Sequence, residues 1–187
     1  MTKEIEQQEL RFGIIAELAH RADKRGLSLG KVALQKHVYL LQTLFDVDCG
    51  YDFTLYTYGP FSSRLLNDLD TVEFLDGVEV HYLGGLNGYR IEPGDNNELI
   101  RKNASKFIAK ASKAIDKVLD EFGNYSAKDL ELYATIVYAE REAREDDVKV
   151  PEKKLVEVVQ GIKPHFSDTV ILGAVRKLES SDYIETI

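Results

Sequence analysis

A single cysteine, Cys49, in 187 residues excludes an intrachain disulfide and a cysteine-rich zinc site. No stretch reaches the roughly 18 uninterrupted apolar residues of a membrane span. The nearest, Val38 to Val47, is bounded by His37 and Asp48 and broken by Gln42 and Asp46. The run MTKEIEQQELRF lacks the apolar segment of a signal peptide, so a soluble, cytoplasmic protein with no membrane partner is expected. Positive charge is also in deficit. A formal net charge of -8 opposes nonspecific nucleic-acid binding unless a local basic face overrides it.

Patterns for metal binding and catalysis are missing as well. Asp46, Asp48 and Asp52 gather around Gly50, but a calcium loop needs glycine sixth and a bidentate Glu twelfth. Here the glycine falls fifth and Thr57 stands twelfth. His20, His37, His81 and His165 are scattered, with no His-x-x-x-His pair and no cysteine partner. Cys49 has acidic neighbours, which raise a thiol pKa, and no serine sits in a Gly-x-Ser-x-Gly turn. Gly84, Gly85 and Gly88 lie between two strand-like runs rather than between a strand and a helix, so they read as a hairpin tip and not a phosphate loop. No catalytic residue, metal ligand or cofactor is assigned, and the chain reads as non-enzymatic.

The chain is 44% hydrophobic and 30% charged, which suits one compact domain or two small ones with a real core. Leu10, Ile14, Leu18 and Ala22 recur at helical spacing and predict a first helix from Thr2 to Arg25 with a charged outer face, stopped by Gly26. Ser28 is placed to cap a second helix carrying Val32, Leu34, Val38, Leu41 and Phe45. Tyr51 to Tyr58 alternates like a strand, and Gly59-Pro60 punctuates it, with Pro60 suited to the first turn of a helix that runs to Leu75. Asp76-Gly77 then leads into VEVHYL, GGLNG and YRIE, a hairpin. Helix, helix, strand, helix and hairpin is the element order of a winged helix.

Asn97 to Phe122 predicts one long helix of roughly 39 Å, able to bridge two lobes. Ser126 caps a further helix, the acids EDD at 145–147 interrupt, and Pro151 to Val159 and Ser167 to Leu178 predict two more, with DYIETI as a closing strand. The fold class is therefore α+β and mostly helical: a winged-helix-like module at 1–96, a bridging helix at 97–123 and a C-terminal helical lobe at 124–187, in which a second winged helix is one possible arrangement.

Two candidate surfaces emerge. Tyr56, Tyr58 and Phe61, with Arg64 one turn further on, supply aromatic anchors and a cation for a protein partner, or else fill the core beneath the wing. Lys163, Arg176 and Lys177 make the last helix neutral to mildly basic and carry the alternative of a DNA-binding regulator. The segment Ser62 to Leu75 is unsuited to that task, since Arg64 stands against Asp68, Asp70 and Glu73. Lys102, Lys106, Lys110, Lys113 and Lys117 form a basic stripe that reads first as a solvated helix face.

At LQKHVYLLQ (34–42), GYDFTLYTYGPFSSRLLNDLD (50–70), SAKDLELYATIVYAERE (126–142) and GIKPHFSDTVILGAVRKLESSDYI (161–184) the chain resembles the YwgA-type prokaryotic proteins. More distantly it is similar to the Panacea (SocA-like) antitoxin domain, which pairs a Leu-Gln-Lys helix, here Leu34, Gln35 and Lys36, with a Gly-Pro-hydrophobic run, here Gly59, Pro60 and Phe61. That domain commonly has Val at the position of Phe61. The resemblance implies a mostly helical α+β module without known catalytic residues, acting by binding another protein or as a regulator.

Overall fold

The computed structural model describes residues 2–85, 88–144 and 149–187. The predicted acidic interruption at 145–147 and the centre of the 84–88 turn lie outside the described residues. Eight helices and two separate two-stranded antiparallel sheets confirm an α+β, mostly helical fold among the described residues. No helix among them is long and apolar enough to cross a membrane.

α1 (Thr2–Lys24) and α2 (Lys31–Phe45) lie at the centre. α1 is buried on every side from residue 11 to 19, not along one stripe, so the predicted charged outer face is absent over its middle. The charges caught there are paired: Arg11 donates to Asp68 at 2.7 Å, and Glu17 accepts from Arg21 at 2.6 Å and from Arg101. Burial works to raise the Glu17 carboxyl, but the Arg101 and Arg21 hydrogen bonds outweigh it and hold its pKa below the ordinary value. α2 is preceded by Gly30 in extended backbone, with no side-chain cap; Ser28 does not serve as one.

The segment after α2 departs from the predicted single strand. β1 (Thr54–Tyr56) turns through two residues into β2 (Gly59–Phe61), so Gly59 and Pro60 belong to a hairpin and not to a helix start. α3 (Ser63–Phe74) begins three residues after Pro60, and β3 (Val78–Tyr82) pairs with β4 (Tyr89–Pro93) as the expected second hairpin. The observed order is helix, helix, hairpin, helix, hairpin, and the first hairpin forms its own sheet rather than pairing with β3–β4, so the single strand of the expected winged-helix order is replaced by a hairpin.

The predicted long helix is broken at Ala104 into α4 (Asn97–Asn103) and α5 (Ser105–Phe122). Both lie along α1, where a Cβ on Gly13 would sit 2.1 Å from the Ala104 Cβ. α6 (Ala127–Ala143) starts at a capping box in which Ser126 and Asp129 bond each other's backbone. α7 (Glu152–Ile162) and α8 (Asp168–Ser180) pack against it and each other. The expected closing strand is reduced to one parallel bridge between Val150 and Thr186, so the C-terminal lobe shows no wing among the described residues. One apolar cluster runs from Phe12 to Ile184, continuous across the boundaries expected at 96/97 and 123/124.

Candidate functional site

The hairpin β1–β2 is held from behind by polar side chains of the helical core. Gln35 treats Ser62 as a strand would: its amide N–H donates to the Ser62 carbonyl at 2.9 Å, and its oxygen accepts the Ser62 N–H at 2.9 Å. Lys36 Nζ donates to the Pro60 carbonyl at 2.8 Å, and Lys163 Nζ donates to the Thr57 carbonyl. Lys163 also pairs with Glu131 at 2.7 Å. All four of these polar side chains are buried, so each backbone carbonyl they cover is satisfied without water. Burial pushes the Lys36 ammonium down to about 8, with Glu131 pulling it up and Lys163 repelling it further.

This arrangement explains physically why a Leu-Gln-Lys helix and a Tyr-Gly-Pro-Phe-Ser run belong together. Leu34 fills the core, while Gln35 and Lys36 fasten the hairpin through its main chain. Pro60 has no N–H for a ladder, and its carbonyl faces the lysine. A hairpin fastened by its backbone leaves its side chains free to face outward.

Tyr56 and Tyr58 are 67% and 62% exposed, so they do not fill the core beneath the wing. Phe61 is half-buried, with its ring centroid 5.8 Å from that of Tyr56. Together with Val32 and Leu66 these three rings border a nearly all-apolar groove of about 210 Å³ whose wall includes Lys31 and Lys36. Arg64 is exposed on α3 but outside the lining. The structure thus brings the three predicted aromatics together around one groove, with Arg64 exposed outside its lining. Sequence reasoning missed Lys31, Val32 and Leu66, although Lys31, Val32, Gln35 and Lys36 share the one-and-four spacing of a helix face. Glu131 left no signal and Lys163 was read as part of a different surface, because they reach the site from α6 and the end of α7.

The alternative basic surface fares differently. Lys163 is 2% exposed and committed to the hairpin, so the structure corrects its assignment as a nucleic-acid contact. Arg176 is bound to both Glu152 oxygens, at 2.9 and 3.2 Å, and Lys177 lies over the Tyr125 ring at 4.8 Å. The two remaining cations are exposed but already partnered within the chain.

Elsewhere, Cys49 is fully buried, and burial followed by the Asp48 charge pushes its thiol upward, away from reactivity. Larger clefts, of about 360 Å³ beside Gly30 and Ser126 and about 480 Å³ beside Phe107, mix polar and apolar walls. Neither family models nor curated proteins match this chain.

Proposed function

We propose that this chain is a non-catalytic, cytoplasmic protein-binding module of the regulator or antitoxin kind, which engages another protein through Tyr56, Tyr58 and Phe61 with Arg64 alongside. The observation that supports the reading is the exposure of two tyrosines, 67% and 62%, on a hairpin whose main chain is fastened to the core. Exposed aromatics on a rigid support offer large contact area at low entropic cost. The resemblance to the YwgA-type and Panacea proteins points the same way, toward partner binding rather than chemistry.

The test is Tyr58→Ala in the full chain, with the product of an adjacent gene as the first partner to try. Loss of an exposed aromatic anchor costs about 2 kcal/mol, or roughly thirtyfold in affinity. The expected result is a partner complex that dissociates on substitution while the melting temperature stays unchanged. Undiminished complex formation by the variant overturns the site. A DNA-binding regulator would instead show salt-sensitive, nanomolar duplex binding lost on changing Arg176 and Lys177 to Glu.

A further inference from the structure

The charges around the groove narrow what can occupy it. The chain carries -8 overall, yet the charged side chains that line the groove or fasten its hairpin are Lys31, Lys36 and Lys163 against the single carboxylate of Glu131. Asp70 forms a long ion pair with Lys31 at 3.9 Å, and Lys31 also lies over the Tyr89 ring at 4.5 Å, so Lys31 is partly compensated within the chain while the cations still outnumber the two carboxylates. Arg64 makes no ion pair among the described residues. Two buried ammonium groups sharing one carboxylate leave an uncompensated positive field behind an apolar wall, where screening is weak. Shape adds a second restriction. An apolar cavity of about 150 Å³ is enough to hold benzene. At about 210 Å³ this groove therefore takes one large side chain rather than the face of a helix.

We propose that the groove receives a single large apolar side chain from a segment of the partner protein whose flanking residues are acidic, the carboxylates meeting Lys31 and Arg64. The proposal rests on the reading of the hairpin as a protein-binding surface. Single-stranded nucleic acid also uses aromatics beside cations, but it needs open ring faces along a basic track. Here the Tyr56 ring leans on Phe61 and the lining is nearly all apolar, which suits a side chain better than a sugar-phosphate chain.

The test is an NMR titration of the full chain with nine-residue peptides. One has a central Leu flanked on both sides by Glu and Asp; the controls carry Ser flanks, Lys flanks or a central Gly, and oligothymidylate is titrated in parallel. The acid-flanked Leu peptide is expected to shift the resonances of Val32, Tyr56, Tyr58 and Leu66 and to bind about tenfold more tightly than the Ser-flanked one, less so at high salt. Changing Lys31 and Arg64 together to Glu should erase most of that preference, by about fivefold or more. Lys31 is part-buried, paired with Asp70 and set over the Tyr89 ring, so the melt of that variant is measured beside Arg64→Glu alone, whose exposed side chain should leave the melt unchanged while removing part of the preference. Equal binding of the Ser-flanked and acid-flanked peptides, with both lost in Tyr58→Ala, removes the acidic preference and leaves the protein-binding site standing. Preference for Lys flanks, or no shift with any peptide, overturns the inference. Tighter binding of oligothymidylate at the same resonances overturns it together with the proposed function.

Discussion

Gly59 is the residue at which the hairpin has least freedom. Its φ of +86° lies in the left-handed region, and a Cβ there would stand 2.9 Å from Thr135 Oγ1 and 3.4 Å from the Glu131 carbonyl oxygen. Any other side chain meets both backbone strain and the α6 surface. Gly59→Val should therefore cost about 3 kcal/mol, lowering the melting temperature by roughly 10 °C. A melt equal to that of the parent would show that the hairpin is not pinned to α6. The same substitution tests the fastening by Lys36, whose Cε lies 3.5 Å from the added carbon. The Gly-Pro pair was legible in the sequence as a corner under backbone constraint. Its role was not, because a proline before a helix and a proline on an outer strand satisfy the same local rules.

Among the elements, the clearest departure from sequence periodicity is the break between α4 and α5. Nothing between Asn97 and Phe122 is a glycine or proline, and the apolar stripe continues without a gap, so local rules predict one helix. The break is tertiary: Ala104 sits against Gly13 of α1 and leaves the helical region with φ -94 and ψ 14. Gly13→Ala would place two methyl groups 2.1 Å apart, and the helices would have to separate. Overpacking of this kind costs about 2 kcal/mol, a fall of roughly 6 °C in melting temperature, and Ala104→Gly should restore part of it. Independent effects of the two substitutions in a double-mutant cycle would show that the two helices do not touch at this point. The other elements were legible where amphipathic stripes and caps agree. Ser126 and Ser167 cap α6 and α8 as their spacing suggests, and Leu65, Leu69 and Val72 face inward on α3. The aromatic half of the candidate site was legible for the same reason, since five aromatics in the eleven residues from Tyr51 to Phe61 stand out in any chain. Its fastening was not legible, because Gln35 and Lys36 interrupt an apolar stripe without showing what they bind.

At the scale of the whole molecule, a single core that encloses ionisable groups ties stability to pH. His37 is fully buried in α2, and burial lowers its pKa from 6.5 to about 4, against a smaller opposing pull from the Phe122 main chain. Between those two values the unfolded chain binds the proton and the folded chain does not, so stability falls as the pH drops from about 6.5 to about 4. The full loss from this residue is about 3 kcal/mol, or roughly 10 °C in melting temperature. Glu17 acts in the same sense at lower pH: its folded pKa is depressed, so the stability it contributes is lost as pH falls through that value. On the alkaline side Lys36, with a folded pKa of about 8 against 10.5 unfolded, makes the folded state gain stability as pH rises through that interval. It is opposed by Cys49, Tyr39 and Tyr51, whose pKa values burial raises, so that stability from these three falls once they ionise in the unfolded chain, from about pH 9 for the thiol and about pH 10 for the phenols. Melting temperatures should therefore rise from pH 4 to pH 6.5, and rise again above pH 8 only until the Cys49 thiol ionises in the unfolded chain near pH 9. His37→Gln should flatten the decline between pH 6.5 and 4 while leaving the alkaline rise in place. Equal melting temperatures at pH 7 and pH 4.5 in the parent would show that the ring is not sealed in the core. A decline unchanged in the variant would assign it to Glu17 and its arginines instead.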